Sequence, residues 1–411
     1  MSMPARAPGA PNGPSRLRLW GPPLVVSLCL ALPLSAAPRL PSADSEVLER
    51  LPGRANDPRA RALTDARRQS ARKPNDLAAA EALVRRYLDE VAAEGDPRYI
   101  GYAQAALAPW WSLPEPPPVV RVLRAVLRQF NHEFDAALSD LAAVLKLEPN
   151  HAEALSWQAA IAMVQARYAD ARVACERLAP QTTALIAVAC MANVDSVVGR
   201  AGPASAALAA ALAKPTPADA EDAPAQRLWA LTRLAEIDER RGEWAAAQAR
   251  YRQALAIDIA DTYVLAAYAD FLLDRNRPNE VLALLKDKQR SDLLLLRLAL
   301  AAQAAAAPGL AGWTRELSAR FDAARLRGDN AHQKEEARFT LAILARPDRA
   351  LTLAQANYAV QREPADARML LEAALAARAP QAAAPALKWL TENQVESVAL
   401  RVLARQFEAP K

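Results

Sequence analysis

One spacing recurs along this chain and limits what it can fold into: a small residue is followed, twelve positions later, by a second small residue. The pairs are Ala125 and Ala137, Ala159 and Ala171, Ala192 and Ala204, and Ala235 and Ala247. Ala125 and Ala159 lie 34 residues apart. That period is typical of arrays in which each unit is a pair of helices and each pair packs against the next. The spacing therefore predicts a solenoid of stacked helix pairs.

Composition indicates that the array is helical throughout. Hydrophobic residues make up 52% of the 411 residues but aromatic residues only 5%, so alanine supplies much of the apolar content. Alanine is the strongest helix former and lets helices approach closely. The chain has only 12 glycines, and many of its 31 prolines stand at joints between segments, where a helix should stop. We therefore predict an all-α protein.

The unit that begins at residue 228 carries the pattern most completely. Its large and small residues are Leu231, Leu234, Ala235, Trp244, Ala247 and Tyr251. This arrangement resembles the tetratricopeptide repeat (TPR) family, and the resemblance covers about residues 118–400. It implies a right-handed superhelical solenoid of antiparallel helix pairs, in which small residues let the two helices of a pair cross closely.

Breaks in the pattern divide the chain into segments. We expect a signal peptide or N-terminal anchor at 1–37, a basic flexible leader at 38–74, and a helix pair with a proline-rich joint at 75–117. TPR-like repeats follow at 118–218 and 228–290, separated by an acidic loop at 219–227. Divergent helix pairs and a C-terminal capping helix are expected at 291–411. A polar final helix would cover the exposed end of a solenoid.

The resemblance also implies a groove that binds a partner, because the first helix of each TPR unit lines the concave face. The corresponding residues are Asn193, Ser196, Trp229, Thr232, Glu236, Glu239, Arg240, Tyr263, Asp270 and Asp274. They would form a partly aromatic, mostly acidic wall, which suits a peptide with basic or apolar anchors. In the alternative interpretation, Trp229 and Tyr263 only pack against neighbouring helices.

Three arginines form a stripe on the helix after the proline-rich joint. Arg121, Arg124 and Arg128 recur at helical spacing, at positions where the family usually buries apolar residues. They are either an exposed or salt-bridged flank, with Glu115 or Glu133 as partners, or a site for an anion or an acidic partner.

No combination of residues in the sequence indicates catalysis. The three histidines are scattered, and the chain has no metal-binding motif, phosphate-binding glycine loop or nucleophile elbow. The adjacent carboxylates Glu335 and Glu336 are expected on a solvated helix face. We therefore expect no enzyme activity, no metal and no cofactor.

The N-terminus resembles an export signal, with arginines ahead of an apolar stretch and a small-residue site at Ser35-Ala36-Ala37. Cleavage, retention as a membrane tether and lipidation at Cys29 all remain open. We expect a periplasmic or cell-envelope protein of bacterial origin, or a cytoplasmic one if this segment is not a signal. In an oxidising compartment Cys175 and Cys190 could form a disulfide; otherwise they are small packing residues.

Charge argues against nucleic acid as a partner. The net charge of +5 comes from residues 1–75, which hold 12 Lys/Arg and 5 Asp/Glu, so the repeats are close to neutral. We predict a non-catalytic scaffold or adaptor of the cell envelope that binds a peptide or protein in its concave face. Alternatives are a protein that binds glycan, peptidoglycan or a small molecule, and an accessory subunit of an envelope enzyme or secretion complex.

Overall fold

The computed structural model describes residues 57–214, 223–328 and 332–408, and these residues form helices and connecting turns without strands. The helices are α1 (Pro58–Arg72), α2 (Leu77–Glu94), α3 (Arg98–Ala106), α4 (Ala108–Trp111), α5 (Pro118–Phe130), α6 (Phe134–Leu147), α7 (Ala152–Val164), α8 (Tyr168–Leu178), α9 (Ala184–Asp195), α10 (Ala201–Ala213), α11 (Ala223–Arg241), α12 (Trp244–Leu255), α13 (Thr262–Asp274), α14 (Pro278–Leu284), α15 (Asp292–Ala305), α16 (Leu310–Leu326), α17 (Gln333–Ala342), α18 (Pro347–Val360), α19 (Pro364–Ala376), α20 (Ala384–Glu392) and α21 (Val398–Glu408).

Consecutive helices pack as antiparallel pairs, and the pairs stack, so the predicted all-α array of helix pairs is confirmed. The first helices of neighbouring pairs also touch, as α11 touches α13 and α13 touches α15. The small residues of the sequence pattern lie where the two helices of a pair meet. Ala125, Ala137, Ala235 and Ala247 are fully buried. Short side chains there let the helix axes approach closely.

We expect Ala247→Leu to lower the free energy of unfolding by about 1 to 3 kcal/mol, because added methyl groups overpack a filled crossing. Ala249 lies on the same helix, α12, and is exposed. Ala249→Leu is therefore the matched control and should leave stability nearly unchanged. Equal urea midpoints for the two variants would contradict this assignment of the crossing.

Local signals explain where α2, the first helix of the pair at 75–117, begins and ends. The Asp76 side chain accepts a hydrogen bond from the Ala79 amide and caps α2. Gly95 ends α2 with a φ of 63°, a left-handed conformation that glycine adopts without strain. A side chain at Gly95 would also collide with Ser291, since its Cβ would lie 2.5 Å from the serine Oγ. The C-terminal end of α2 therefore touches the turn before α15.

The array curls back on itself, so its concave face is not an open groove. The Thr262 hydroxyl at the start of α13 donates to the Ala92 carbonyl of α2, at 2.9 Å. The Arg362 amide donates to the Val164 carbonyl at 2.8 Å, which joins the turn before α19 to the end of α7. Residues 122–197 and 337–400 contribute to one hydrophobic core. The C-terminal helices thus cover repeats that precede them by about 200 residues.

The structure corrects three of the expected segments. Residues 58–72 form α1 rather than a flexible leader, with Leu63 buried and Arg59 2.8 Å from Glu90. Part of the expected acidic loop is helical, because α11 begins at Ala223. The last helix, α21, does not cap an exposed end: its Leu400 is buried and the helix contacts α11 and α19.

The expected signal segment at 1–37, the leader residues 38–56 and loop residues 219–222 lie outside the described residues. Among the residues that the structure describes, no helix is both long and apolar enough to span a bilayer. Cys175 and Cys190 are joined by a disulfide, which links α8 to α9.

Candidate functional site

A solvent-accessible cavity of about 560 Å³ lies within the curled array, and we call it the central cavity. Its charged lining comes mainly from two parts of the chain, which we call its two walls: α11 and α13, and α17 with α19. Residues between 130 and 197, and residues of α12, α15 and α21, complete the lining. Charged residues of both signs line it in equal number. They are Arg233, Arg240, Arg275, Arg297, Lys334, Arg338 and Arg368, and Glu236, Glu239, Asp270, Asp274, Glu335, Glu363 and Glu372.

Asp270 on α13 accepts hydrogen bonds from two arginines. Arg297 of α15 reaches it with two nitrogens, at 3.1 and 2.7 Å, and Arg338 of α17 with one, at 2.6 Å. Burial alone would raise the pKa of Asp270, but the two guanidinium groups outweigh it and hold that pKa well below its usual range. Asp270 therefore joins three helices and is not free to bind a basic partner.

Asp274, one turn after Asp270 on α13, is also paired with an arginine of a distant helix. Arg368 of α19 donates to its Oδ1 at 2.8 Å and to Glu372 at 2.7 Å. Because α13 and α19 are 90 residues apart in the chain, this ion pair helps to hold the C-terminal helices against the cavity wall. The predicted acidic wall is thus partly neutralised by the protein's own arginines.

Tyr263 belongs to a group of three side chains on the α11–α13 wall. Its hydroxyl donates to Glu236 at 2.6 Å, and the Arg233 guanidinium lies over its ring, 4.9 Å from the centroid. Arg233 also pairs with Glu236 at 3.1 Å. Tyr263 is 49% exposed although it lines the central cavity, so its free surface faces the cavity's solvent.

Two neighbouring charges on α11 have no oppositely charged partner within 4.0 Å among the described residues: Arg240 and Glu239. Arg240 donates to the neutral Ser196 hydroxyl at 2.7 Å, and its buried Nε has no hydrogen-bond partner. Burial lowers the pKa of Arg240. Glu239 accepts a hydrogen bond from Tyr251 at 2.8 Å, and burial raises the pKa of its carboxyl to about 7.

In the described part of the opposite wall, Lys334 has an oppositely charged partner, whereas Glu335 and Glu363 do not. Lys334 lies 3.5 Å from the buried Asp366. Glu335 and Glu363 have no cationic nitrogen within 4.0 Å among the residues described. Burial would raise the pKa of Glu335, but Lys334 and Arg297 lower it; burial and Asp366 raise the pKa of Glu363. No three His, Cys, Asp or Glu side chains of the described chain are placed to hold a metal ion.

We expect Glu239→Gln to raise the free energy of unfolding by about 1 to 2 kcal/mol at pH 8 and by less at pH 5. The folded pKa of about 7 lies above the ordinary value of 4.5, so the folded state binds this proton more tightly than the unfolded state. Stability from that proton is lost as the pH rises through 7. Glutamine removes the cost of burying the charge. Urea unfolding of both proteins at each pH measures the difference.

The exposed Glu176 on α8 provides the matched control, because Glu176→Gln should change stability equally little at both pH values. If the benefit of Glu239→Gln is the same at pH 5 and pH 8, Glu239 does not titrate as described.

Seven of the ten predicted groove residues line the central cavity. They are Asn193, Glu236, Glu239, Arg240, Tyr263, Asp270 and Asp274. Ser196 is buried and accepts the bond from Arg240. Thr232 is buried, and its hydroxyl donates to the Leu228 carbonyl, so it cannot contact a ligand. Trp229 is 37% exposed but lies outside the lining. The repeat register therefore selects mostly cavity residues, and Ser196, Thr232 and Trp229 are the three that lie outside the lining.

The arginine stripe is not a free anion site. Asp140 of α6 accepts hydrogen bonds from Arg124 at 2.8 Å and from Arg128 at 2.7 Å. Arg121 lies 4.0 Å from the same carboxylate. The salt-bridged interpretation holds, although the main partner is Asp140 and Glu133 is only a peripheral one at 3.9 Å. Asp140 lies three positions after the crossing residue Ala137, so it falls on the buried face of α6. That position in the sequence could have identified Asp140 as the partner of the arginines.

The repeat pattern does not predict the second wall of the cavity, formed by α17 and α19. Lys334, Glu335, Arg338, Glu363 and Arg368 lie on α17, α19 and the turn between α18 and α19. The expectation of a solvated face at 335–336 is wrong: Glu336 is buried and ion-paired with Arg349 at 2.8 Å, and its neighbour faces the cavity.

Comparisons with known proteins give no family assignment. No family model and no curated protein matches the chain. Among solved structures, the TPR domain of P58(IPK) overlaps 85% of this chain and 92% of its own, with 14% identity and a TM-score of 0.22. The structure of Naa15/Naa10 bound to HypK-THB overlaps 85% of this chain and 66% of its own, with 16% identity and a TM-score of 0.24. Scores this low do not establish a common fold, so the architecture rests on the helices of the chain itself.

Proposed function

We propose that this protein is a non-catalytic binding protein that holds a short segment of a partner protein in its central cavity. The observation that carries the proposal is the cavity itself, whose charged lining is assembled from two distant parts of the chain. Cavities of about 300 to 1,000 Å³ suit ligands of small-molecule size. A whole helix of a partner would not fit, but a loop tip or chain end of a few residues would.

A second candidate is a small soluble ligand such as an amino acid, a glycan or a peptidoglycan fragment. The observation that favours it is the closure of the array, because the C-terminal helices cover much of the surface that a large partner would need. The same lining would recognise either ligand, and the two candidates differ only in whether the ligand is part of a longer chain.

We also propose that the protein is exported to the cell envelope. The N-terminal sequence supports this location, and so does the disulfide between Cys175 and Cys190, since disulfides persist in oxidising compartments. N-terminal sequencing of the natural protein tests it. Loss of the first residues supports export, and an intact Met1 in a soluble cytoplasmic fraction refutes it.

Photo-crosslinking tests the binding site directly. Benzoylphenylalanine would replace Tyr263, which lines the cavity and is 49% exposed, in cells that make the protein naturally. Tyr102 is 47% exposed and lies outside the lining, so the same replacement there is the matched control. We expect one defined protein adduct at position 263 that is absent at 102 and is reduced by Arg240→Gln. Adducts of equal identity and yield at both positions would refute the cavity as the binding site.

A further inference from the structure

The two walls of the central cavity carry charges of opposite sign that the protein does not neutralise. Most of the fourteen charged lining residues are paired with each other or with Asp366, or lie against an aromatic ring. Some of these pairs lie within one wall and others, such as Asp270 with Arg338 and Asp274 with Arg368, join the two walls; in each pair the charges cancel locally. Four lining residues remain: Arg240 and Glu239 on α11, and Glu335 and Glu363 on the other wall. Because the Glu239 carboxyl already accepts from Tyr251, the other three are the charges that a ligand would meet.

Arg240 is the donor on the α11 wall. A guanidinium has five N–H donors, and burying one without an acceptor is costly. Among the described residues its guanidinium hydrogen-bonds only to the neutral Ser196 hydroxyl, and its buried Nε has no partner there. A ligand carboxylate would supply both the missing hydrogen-bond acceptor and the missing negative charge. Glu239 does not supply it, because that carboxyl accepts from Tyr251 and lies beyond 4.0 Å from the guanidinium.

The opposite wall has the complementary deficit. Glu335 and Glu363 face the cavity beside Lys334, whose ammonium already interacts with Asp366. Within the described chain Lys334 is the cation nearest these three carboxylates, while Arg297 and Arg233 act on Glu335 and Glu363 from beyond 4.0 Å. The Glu363 side chain also accepts from the Asp366 amide at the start of α19, and carboxylates remain in local surplus. Burial alone would lower the pKa of Lys334, but the surplus of negative charge stabilises its ammonium and raises that pKa. A second cation, brought by a ligand, would balance the wall.

We infer that the ligand group held in the central cavity is a zwitterion: an ammonium or guanidinium seated against Glu335 and Glu363, and a carboxylate seated against Arg240. The inference rests on the proposed function and names the chemistry of its ligand. Within about 560 Å³ the ligand must carry both charges within a few residues. A short peptide, or a basic and an acidic side chain close together in a partner protein, satisfies this. Complementary charges at fixed positions also set the ligand's orientation.

Isothermal titration calorimetry of the full chain with defined probes tests the inference. The main probe is a Lys-Glu dipeptide blocked by acetyl and amide groups, which keeps one ammonium and one carboxylate. Two analogues remove one charge each: norleucine-Glu lacks the cation, and Lys-Gln lacks the carboxylate. A longer blocked peptide with one central Lys-Glu pair separates the two sources, because only a cavity that accepts a chain segment can bind it.

We expect each analogue to bind about tenfold more weakly than Lys-Glu, since each leaves one wall unbalanced. Glu335→Gln should weaken Lys-Glu by about tenfold and leave norleucine-Glu unchanged, whereas Arg240→Gln should weaken norleucine-Glu and leave Lys-Gln unchanged. Arg240→Lys should retain part of the affinity. The exposed Glu176→Gln is the control and should change nothing.

Equal binding of all three dipeptides, or binding of none, overturns the zwitterion inference. The proposed function fails separately, when position 263 yields no specific adduct. A specific adduct together with charge-independent peptide binding would retain the proposed function and reject the inference. Thermal unfolding of each variant, compared with the wild type, verifies that a loss of affinity is not a loss of fold.

Discussion

Asp140→Asn is expected to lower the free energy of unfolding by about 3 to 5 kcal/mol, because it removes one partner of a buried ion pair. Asp140 and Arg124 are both buried, and Asp140 accepts from Arg124 and Arg128 at 2.8 and 2.7 Å. Asparagine keeps the size of the side chain but removes its charge. Two guanidinium groups would then share one neutral acceptor in a region with little water. Their buried positive charge would no longer be neutralised, and this lowers the free energy of unfolding.

An ion pair of similar length on the surface provides the control. Asp170 lies 2.7 Å from Arg167 on α8, and both side chains are more than half exposed. Asp170→Asn should cost no more than about 1 kcal/mol, because water screens the pair and replaces its bonds. Urea unfolding monitored by circular dichroism measures both variants. If the two substitutions cost the same, Asp140 does not neutralise buried charge.

The helix pairs could be predicted from sequence because the signal is local. Ala235 and Ala247 lie on adjacent helices of one pair, so their spacing reflects a contact made within a single repeat. The buried charges could not be predicted in the same way. Arg124 occupies a position where the pattern requires an apolar residue, and only the three-dimensional placement of Asp140 explains why a guanidinium is tolerated there.

The cavity was predictable only on one wall. Repeat positions identify Glu239, Arg240 and Tyr263, because the same positions of every first helix point inward in a regular solenoid. Repeat positions contain no information about which residues form the opposite wall of the cavity. Lys334 and Glu363 reach the cavity through the curling of the whole array, which depends on contacts between residues far apart in the chain. A charged helix face in sequence looks the same whether it borders bulk water or an interior cavity.

Closure also changes what the acidic residues can do. In an open groove Asp270 and Asp274 would be available to a basic partner, whereas here Arg297, Arg338 and Arg368 already occupy them. A partner that used these carboxylates would first have to break ion pairs that hold the array closed. The residues left for recognition are therefore those without an ionic partner, and they carry both signs.

Trp389→Ala is expected to lower the free energy of unfolding by about 3 to 5 kcal/mol, because it removes a large buried side chain and leaves a cavity. Trp389 is 5% exposed, and its indole nitrogen donates to the Tyr168 hydroxyl at 2.9 Å. This contact joins α20 to α8 across 221 residues. In a linear array each repeat is stabilised by its neighbours alone, so a change near one end would loosen only that end. In the closed array it should loosen α8 as well.

Hydrogen exchange distinguishes the two cases. With Trp389→Ala we expect faster amide exchange in α8 and α7 as well as in α20, since the core that residues 122–197 share with residues 337–400 loses one of its largest members. Trp229→Ala is the matched control: Trp229 is 37% exposed and outside the cavity, and its loss should change stability by no more than about 0.5 kcal/mol. Faster exchange confined to α19–α21 after Trp389→Ala would show that the array is open in solution, and the central cavity would then lose its second wall.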